Sequence, residues 1–122
     1  MFNFEKLGVW KKAIDFADLI YSLTRSFPAE ERFGLTNQMR RAAVSVPSNI
    51  AEGSSRASRV HFAQYLEHAA GSLFEVVTQA TIARRQRFVT QDQYAVIYAA
   101  AEEQSKMLSG LRKSLQSDKR RQ

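Results

Sequence analysis

Apolar side chains recur every three or four residues along most of this chain, which is the spacing that places them on one face of an α-helix. The first such stripe comprises Trp10, Ala13, Ile14, Ala17, Ile20, Tyr21, Thr24 and Phe27. Only five glycines and two prolines could interrupt helices, and no sustained alternation of Val, Ile and Thr indicates a strand. The sequence therefore predicts an all-α fold.

The second helix is predicted to continue through a proline. Its apolar stripe keeps the same phase on both sides of Pro47, so we expect one helix from about Leu35 to Glu52 with a kink. The proline ring would clash with the carbonyl of Ala43, which also loses its usual donor. Gly53, followed by polar residues, suits the end of this helix.

Signals at the helix ends separate the remaining helices. The first helix should stop at Pro28, and Ser58 is the expected N-cap of a long third helix that ends near Phe88. Residues 90–93 (Thr-Gln-Asp-Gln) have the form of a capping box that opens a fourth helix. Short connections between long helices favour antiparallel neighbours, so the predicted architecture is an up-down-up-down four-helix bundle with a proline kink in its second helix.

The length of 122 residues suits a single domain. We assign residues 1–116 to the bundle and residues 117–122, which lack apolar side chains, to a basic disordered tail. No apolar run approaches the roughly 18 to 20 residues of a membrane span, and the N-terminus lacks a secretion signal. A cytoplasmic protein without membrane contact is therefore expected.

Few residues of this chain suit catalysis or metal binding. There is no cysteine, and the only histidines are His61 and His68. Neither the Glu-x-x-His spacing of di-iron bundles nor a glycine-rich phosphate loop occurs. We expect no enzyme, no metal and no cofactor.

Positive charge is concentrated by the predicted layout. Eighteen Lys and Arg against twelve Asp and Glu give a formal charge of +6. In an antiparallel bundle one end collects the candidate nucleic-acid-binding residues, which are Arg25, Arg32, Arg40, Arg84, Arg85 and Arg87. Some of them lie in last helical turns, where cations suit the helix dipole, but the arginine fork also suits phosphate.

A polar network is predicted between the second and third helices. Both carry a polar stripe, and if the stripes face each other, Arg41 could pair with Glu75 or Glu52, with Asn49 nearby. We prefer this structural role for Arg41, Asn49, Glu52 and Glu75. A nucleic-acid contact by Arg41 and a solvated face are the alternatives.

The first helix carries a second apolar ridge, formed by Phe16, Leu19 and Leu23. Its apolar arc is wider than burial on one side requires. This ridge is a candidate interface between subunits of a homo-oligomer. The alternative is that neighbouring helices and the Phe2-Asn3-Phe4 segment cover both ridges within one subunit.

Three segments together resemble the four-helix-bundle family of 23S ribosomal RNA intervening-sequence proteins, which is itself similar to the accessory variability proteins of diversity-generating retroelements. The segments are FEKLGVWKKA (4–13), FPAEERFGLTNQMRRAAVSVPSNIAEGSSR (27–56) and FAQYLEHAAGSLFEVVTQ (62–79). In the middle one, the order Glu-Arg-Phe-Gly-Leu, Gln-x-Arg-Arg-Ala and Pro-x-Asn-Ile-Ala-Glu-Gly is not required by helix patterning. The match is therefore specific.

The resemblance implies a bacterial, basic and often pentameric bundle that is associated with ribosomal RNA genes and binds nucleic acid. The family's Arg-Arg pair matches Arg40 and Arg41, whereas Val77 and His61 stand where acidic residues are expected. These departures put a specific pairing of the third helix in doubt, but not the fold.

Taken together, the sequence predicts a non-catalytic homo-oligomer that binds nucleic acid, RNA rather than DNA, through phosphate contacts. The alternative is an oligomeric scaffold or accessory subunit whose main partner is another protein, such as a reverse transcriptase. The aromatic residues fall mainly on predicted core faces, so no base-stacking platform is expected.

Overall fold

The computed structural model describes the backbone of residues 1–121 and the side chains of residues 1–116. Its four α-helices are α1 (Gly8–Thr24), α2 (Leu35–Ser54), α3 (Arg59–Arg85) and α4 (Gln91–Arg121). Short 3-10 turns, Asn3–Lys6 and Ala29–Glu31, precede α1 and α2. No strand occurs in the described backbone, so the predicted all-α fold with four helices is confirmed. The tail predicted at 117–122 lies outside the residues described in full.

Contacts between neighbouring helices show how they align. The hydroxyls of Thr81 in α3 and Tyr94 in α4 lie 3.1 Å apart, while Glu67, earlier in α3, lies 3.5 Å from Arg112, later in α4. Residues late in α3 therefore lie beside residues early in α4, and residues early in α3 lie beside residues late in α4. One hydrogen bond also joins each of two other helix pairs. Ser45 and Ser72 join α2 to α3, and Gln104 of α4 donates to the Val9 carbonyl of α1.

The core is built mainly from the predicted stripes, with departures on α1 and α4. On α1, Tyr21 belongs to the predicted stripe but is exposed, whereas Phe16 of the second ridge is buried. The apolar spacing of α4 places Tyr98 on the predicted core face together with Tyr94, Ile97 and Ala101, but Tyr98 is 45% exposed. Gln104 is buried in its stead, and its amide nitrogen donates to the Val9 carbonyl at 3.1 Å. The buried positions of α4, which include Ile97, Ala101 and Leu108, therefore follow a stripe rotated away from Tyr98.

Helix α2 runs through Pro47 without interruption and ends at Ser54, two residues beyond the predicted end. Pro47 is buried within the helix. The kink predicted at Pro47 stays a prediction, whereas the continuity of the helix is observed.

Gly53 lies in the last turn of α2, which ends one residue later at Ser54, close to the predicted end. It is also a point of close contact with α3. A Cβ at this position would lie 2.6 Å from Cβ of Tyr65 and 3.0 Å from Cδ1 of Phe62, both in α3. Of the five glycines, Gly53 is therefore the one at which a side chain has the least room, because α2 and α3 are in close contact there.

The predicted helix starts are confirmed by their hydrogen bonds. The Ser58 hydroxyl accepts from the backbone N–H groups of Val60 and His61 at 3.1 and 3.4 Å. The backbone N–H of Thr90 donates to the Gln93 side chain at 2.8 Å, and Gln93 N–H donates to the Thr90 hydroxyl at 3.1 Å. These reciprocal bonds form the capping box that opens α4.

Candidate nucleic-acid interface

The six candidate arginines lie around the helix ends that meet at one end of the bundle. The aromatic rings of Phe27, just after α1, and Phe88, just after α3, pack with their centroids 5.5 Å apart. Arg25 follows α1, and Arg32 precedes α2. We call the set the arginine end; its members are Arg25, Arg32, Arg40, Arg84, Arg85 and Arg87.

Arg40 is tied into the packing of α1 against α2. Its Nε donates to the hydroxyl of Thr24 at 2.9 Å, and its guanidinium lies 4.6 Å from the ring centroid of Tyr21. The Thr24 side chain is buried, so this hydrogen bond joins the two helices. Arg40 therefore supports the fold as well as adding positive charge.

Arg25 and the arginines at the end of α3 make fewer hydrogen bonds than Arg40 does. Arg84 donates to the Gln91 side chain at 3.2 Å and lies 4.5 Å from the ring centroid of Tyr94. The side chains of Arg25, Arg85 and Arg87 are exposed, and they make no hydrogen bond or ion pair with another residue of 1–116. These three guanidinium groups can bind an external anion without breaking a hydrogen bond or ion pair within residues 1–116.

Arg87 has an unusual backbone conformation. Its φ is 64°, which makes it the only non-glycine residue with positive φ in the described chain. Phe88 N–H donates to the Ala83 carbonyl at 2.8 Å and Arg87 N–H to the Arg84 carbonyl at 3.0 Å, which together form a Schellman motif. Glycine is the favoured residue at this position of the motif. Arg87 therefore adopts a conformation that costs an arginine more than it would cost a glycine.

Phe33 is an exception to the expectation that the aromatic residues lie on core faces. It lies in the turn before α2 and is 85% exposed, with the Arg32 guanidinium 5.3 Å from its ring centroid. The sequence contained one signal of this exposure. Phe33 stands between Arg32 and Gly34, ahead of the apolar stripe of α2, which begins at Leu35. An exposed aromatic ring beside arginine is the arrangement on which unpaired bases stack.

The polar contacts between α2 and α3 involve shorter side chains than predicted. The Ser45 and Ser72 hydroxyls lie 2.8 Å apart, and the Asn49 amide donates to the Ser45 carbonyl and hydroxyl at 2.8 and 2.9 Å. Arg41, Glu52 and Glu75 are exposed, and no hydrogen bond or ion pair joins them among residues 1–116. The helices are close enough for two serines to meet, which leaves the long charged side chains at the rim.

A polar groove runs along this rim. It has a volume of about 430 Å³ and is lined by Phe33, Asn37, Gln38, Arg41, Ala42, Ser45, Ser72, Glu75 and Gln79. The polar stripes of α2 and α3 therefore face each other, as the sequence suggested. We call this feature the α2–α3 groove.

The second apolar ridge of α1 is largely covered by other parts of the same chain. Phe16 is only 2% exposed, and Leu19 and Leu23 are half-buried against the core. Large apolar side chains are more exposed between α3 and α4, where Phe74 is 58% and Tyr98 45% exposed beside a groove of about 290 Å³. Phe16 thus offers almost no surface to a second subunit, whereas Leu19 and Leu23 offer part of theirs.

Two further observations concern the part of the chain that the structure describes. No helix there is long and apolar enough to cross a membrane. No group of three or more His, Cys, Asp or Glu side chains in that part is arranged to hold a metal ion.

Comparison with known proteins points to one family. The family model described as "23S rRNA-intervening sequence protein" matches residues 5–110. A crystal structure of a protein of unknown function from the S23 ribosomal protein family of Bacteroides thetaiotaomicron superposes with a TM-score of 0.77. The two sequences are 26% identical, and the match covers 86% of this chain and 98% of that one. No curated protein matches the sequence.

Proposed function

Because the chain belongs to the 23S rRNA-intervening sequence protein family, we propose that it is a non-catalytic protein that binds structured RNA, related to ribosomal RNA, through phosphate contacts. The observation that carries this proposal is the arginine end, where Arg25, Arg85 and Arg87 present guanidinium groups without a partner among residues 1–116. The same proposal places the protein in the cytoplasm, where ribosomal RNA is found.

The chemistry of arginine supports this ligand. A guanidinium group donates two parallel hydrogen bonds to a phosphate, and it keeps its charge at any physiological pH. Double-stranded RNA has a deep, narrow major groove, so proteins recognise it mainly by shape and by backbone contacts. A rigid bundle end that carries several arginines suits such recognition, and the family description favours RNA over DNA.

A salt series tests the proposal. Binding of fluorescent structured RNA, duplex DNA and a neutral polymer should be measured between about 50 and 200 mM salt. If the six arginines each neutralise one phosphate, log K should fall against log salt with a slope of roughly 5 on a duplex and roughly 4 on a single strand. The neutral polymer should not bind. A protein without salt-dependent affinity for either nucleic acid would contradict the proposal and favour the alternative of a scaffold for another protein.

We also propose that the chain self-associates, with a pentamer as the form that the family resemblance favours. Light scattering at micromolar concentration should give several subunit masses, and a monomer would contradict the proposal. Leu23→Glu and Phe74→Glu place the same charge on two apolar surfaces, and Phe74→Glu should lower the mass more, because Phe74 is 58% exposed and Leu23 half-buried. Phe16→Glu is unsuitable, since a charge at a residue that is 2% exposed would unfold the subunit.

A further inference from the structure

The α2–α3 groove joins an exposed aromatic ring to two charged groups of opposite sign. We propose that this groove binds one unpaired guanine base of RNA, with the base stacked on Phe33; the proposal rests on the RNA-binding function and names the nucleotide that is read. The arginine end would hold the backbone, and the groove would read the base. The two roles use different residues.

Phe33 supplies the stacking surface. Its ring is 85% exposed, more than any other aromatic side chain of residues 1–116, so nearly all of its surface is open to a ligand. The Arg32 guanidinium, 5.3 Å from the ring centroid, provides positive charge beside it. Aromatic rings next to arginine bind single-stranded nucleic acids by stacking, because every base has a π-face.

Arg41 and Glu75 supply the selectivity for guanine. Both line the groove, both are exposed, and neither has a hydrogen-bond or ion-pair partner within residues 1–116. Guanine presents two acceptors, O6 and N7, which suit the fork of an arginine. It also presents N–H donors on its Watson–Crick edge, which suit a carboxylate. Adenine has no acceptor in the place of O6, so it satisfies the arginine less well.

The polar lining of the groove favours a base over a protein partner. An apolar protein surface laid on Phe33 would bury Arg41 and Glu75 without matching their hydrogen-bonding groups, which costs free energy. A base satisfies these groups with its edge while its face covers the ring. The groove, about 430 Å³ in volume, is open to solvent, so a base can enter it with one face on the ring and the sugar outside.

Short RNA oligomers test this proposal on the full chain. Hexauridylate with one central guanosine should be compared with the same oligomer carrying adenosine, inosine or 7-deazaguanosine, with affinity measured by fluorescence anisotropy. Guanosine should bind best. Phe33→Ala should weaken its binding about tenfold, as expected for the loss of one stacked base, and should leave the salt slope unchanged because no charge is removed. Phe2→Ala is the matched control, since Phe2 is 71% exposed near the start of the chain, and it should change neither quantity.

Glu75→Gln separates base reading from electrostatic attraction. Removal of a negative charge should raise the affinity for every oligomer, but the preference for guanosine over adenosine should shrink. Equal affinities of the wild-type protein for guanosine and adenosine oligomers would overturn the proposal while leaving salt-dependent binding of duplex RNA, and therefore the proposed function, intact. A Phe33→Ala protein that keeps its affinity and changes its subunit mass would also overturn it, since Phe33 would then belong to a protein interface. Binding of no nucleic acid at all would remove both proposals.

Discussion

Replacement of Gly53 by alanine is expected to destabilise the protein by about 1 to 3 kcal/mol, although alanine is the better helix former. The new Cβ would lie 2.6 Å from Cβ of Tyr65 and 3.0 Å from Cδ1 of Phe62. The Phe62 ring can move away by a few tenths of an ångström through a small rotation of its side chain. The Tyr65 Cβ cannot, because it is bonded directly to the backbone of α3. The substitution therefore forces α2 and α3 apart.

Two other glycines provide matched controls for this substitution. Gly71 in α3 and Gly110 in α4 are exposed, and a Cβ added at either position would meet no atom within 4 Å. Gly71→Ala and Gly110→Ala should each stabilise the protein by up to about 1 kcal/mol through helix propensity alone. The free energies of unfolding should be compared by urea denaturation with far-UV circular dichroism, at one protein concentration because self-association would add to stability. Equal stabilisation by all three substitutions would show that α2 and α3 separate without cost.

The contact at Gly53 also bears on the proposed base site. The Ser45–Ser72 hydrogen bond and the contact of Gly53 with Tyr65 lie along the same pair of helices. The α2–α3 groove opens on this pair, further towards the start of α2. A variant that separates the helices should therefore change the groove as well as the stability, so Gly53→Ala is a poor probe of RNA binding.

The parts of this fold that the sequence predicted depend on local interactions. The apolar spacing defines the helices, and the caps at Ser58 and Thr90 depend on atoms two or three residues away. The exposure of Tyr98 and the burial of Gln104 depend instead on which flank of α4 its neighbours cover. The spacing of apolar residues in α4 alone does not show which flank the neighbouring helices cover.

The candidate site likewise has features that the sequence predicted and features that depend on the folded structure. Helix directions were enough to collect the arginines at one end of the bundle. The exposure of Phe33 and the positive φ of Arg87 arise from the conformations of two turns, which hydrophobic spacing does not describe. Of the network expected from Arg41, Asn49, Glu52 and Glu75, only Asn49 takes part in the observed contacts, because serine side chains meet where the two helices are close.

The arginines at the end of α3 should make the largest contribution to RNA affinity. Substitution of Arg84, Arg85 and Arg87 together by glutamine is expected to reduce the slope of log K against log salt by roughly 2 to 3 units. The loss of affinity should be uniform across RNA sequences, since contacts to phosphate carry no base information. Arg40 is left in place because its hydrogen bond to Thr24 joins α1 to α2.

A matched triple variant controls for net charge. Lys6, Lys11 and Lys113 are exposed residues towards the opposite end of the bundle, and their substitution by glutamine removes the same three charges. This control should change the slope much less, provided that the ligand contacts the arginine end. Equal losses by the two triple variants would show that only the overall charge attracts RNA.

Arg87→Gly distinguishes phosphate binding from a purely structural role of these arginines. If they served only to cap α3, their removal would lower stability by about 0.3 to 1 kcal/mol each and leave RNA affinity unchanged. Glycine at position 87 relieves the strain of a φ of 64°, so we expect stability to rise by about 1 kcal/mol while RNA affinity falls. Urea denaturation and the RNA salt series, carried out on the same preparation, measure the two effects. Opposite signs would mean that the arginine is kept for its charge at the expense of stability, whereas a more stable protein with unchanged affinity would exclude Arg87 from the interface.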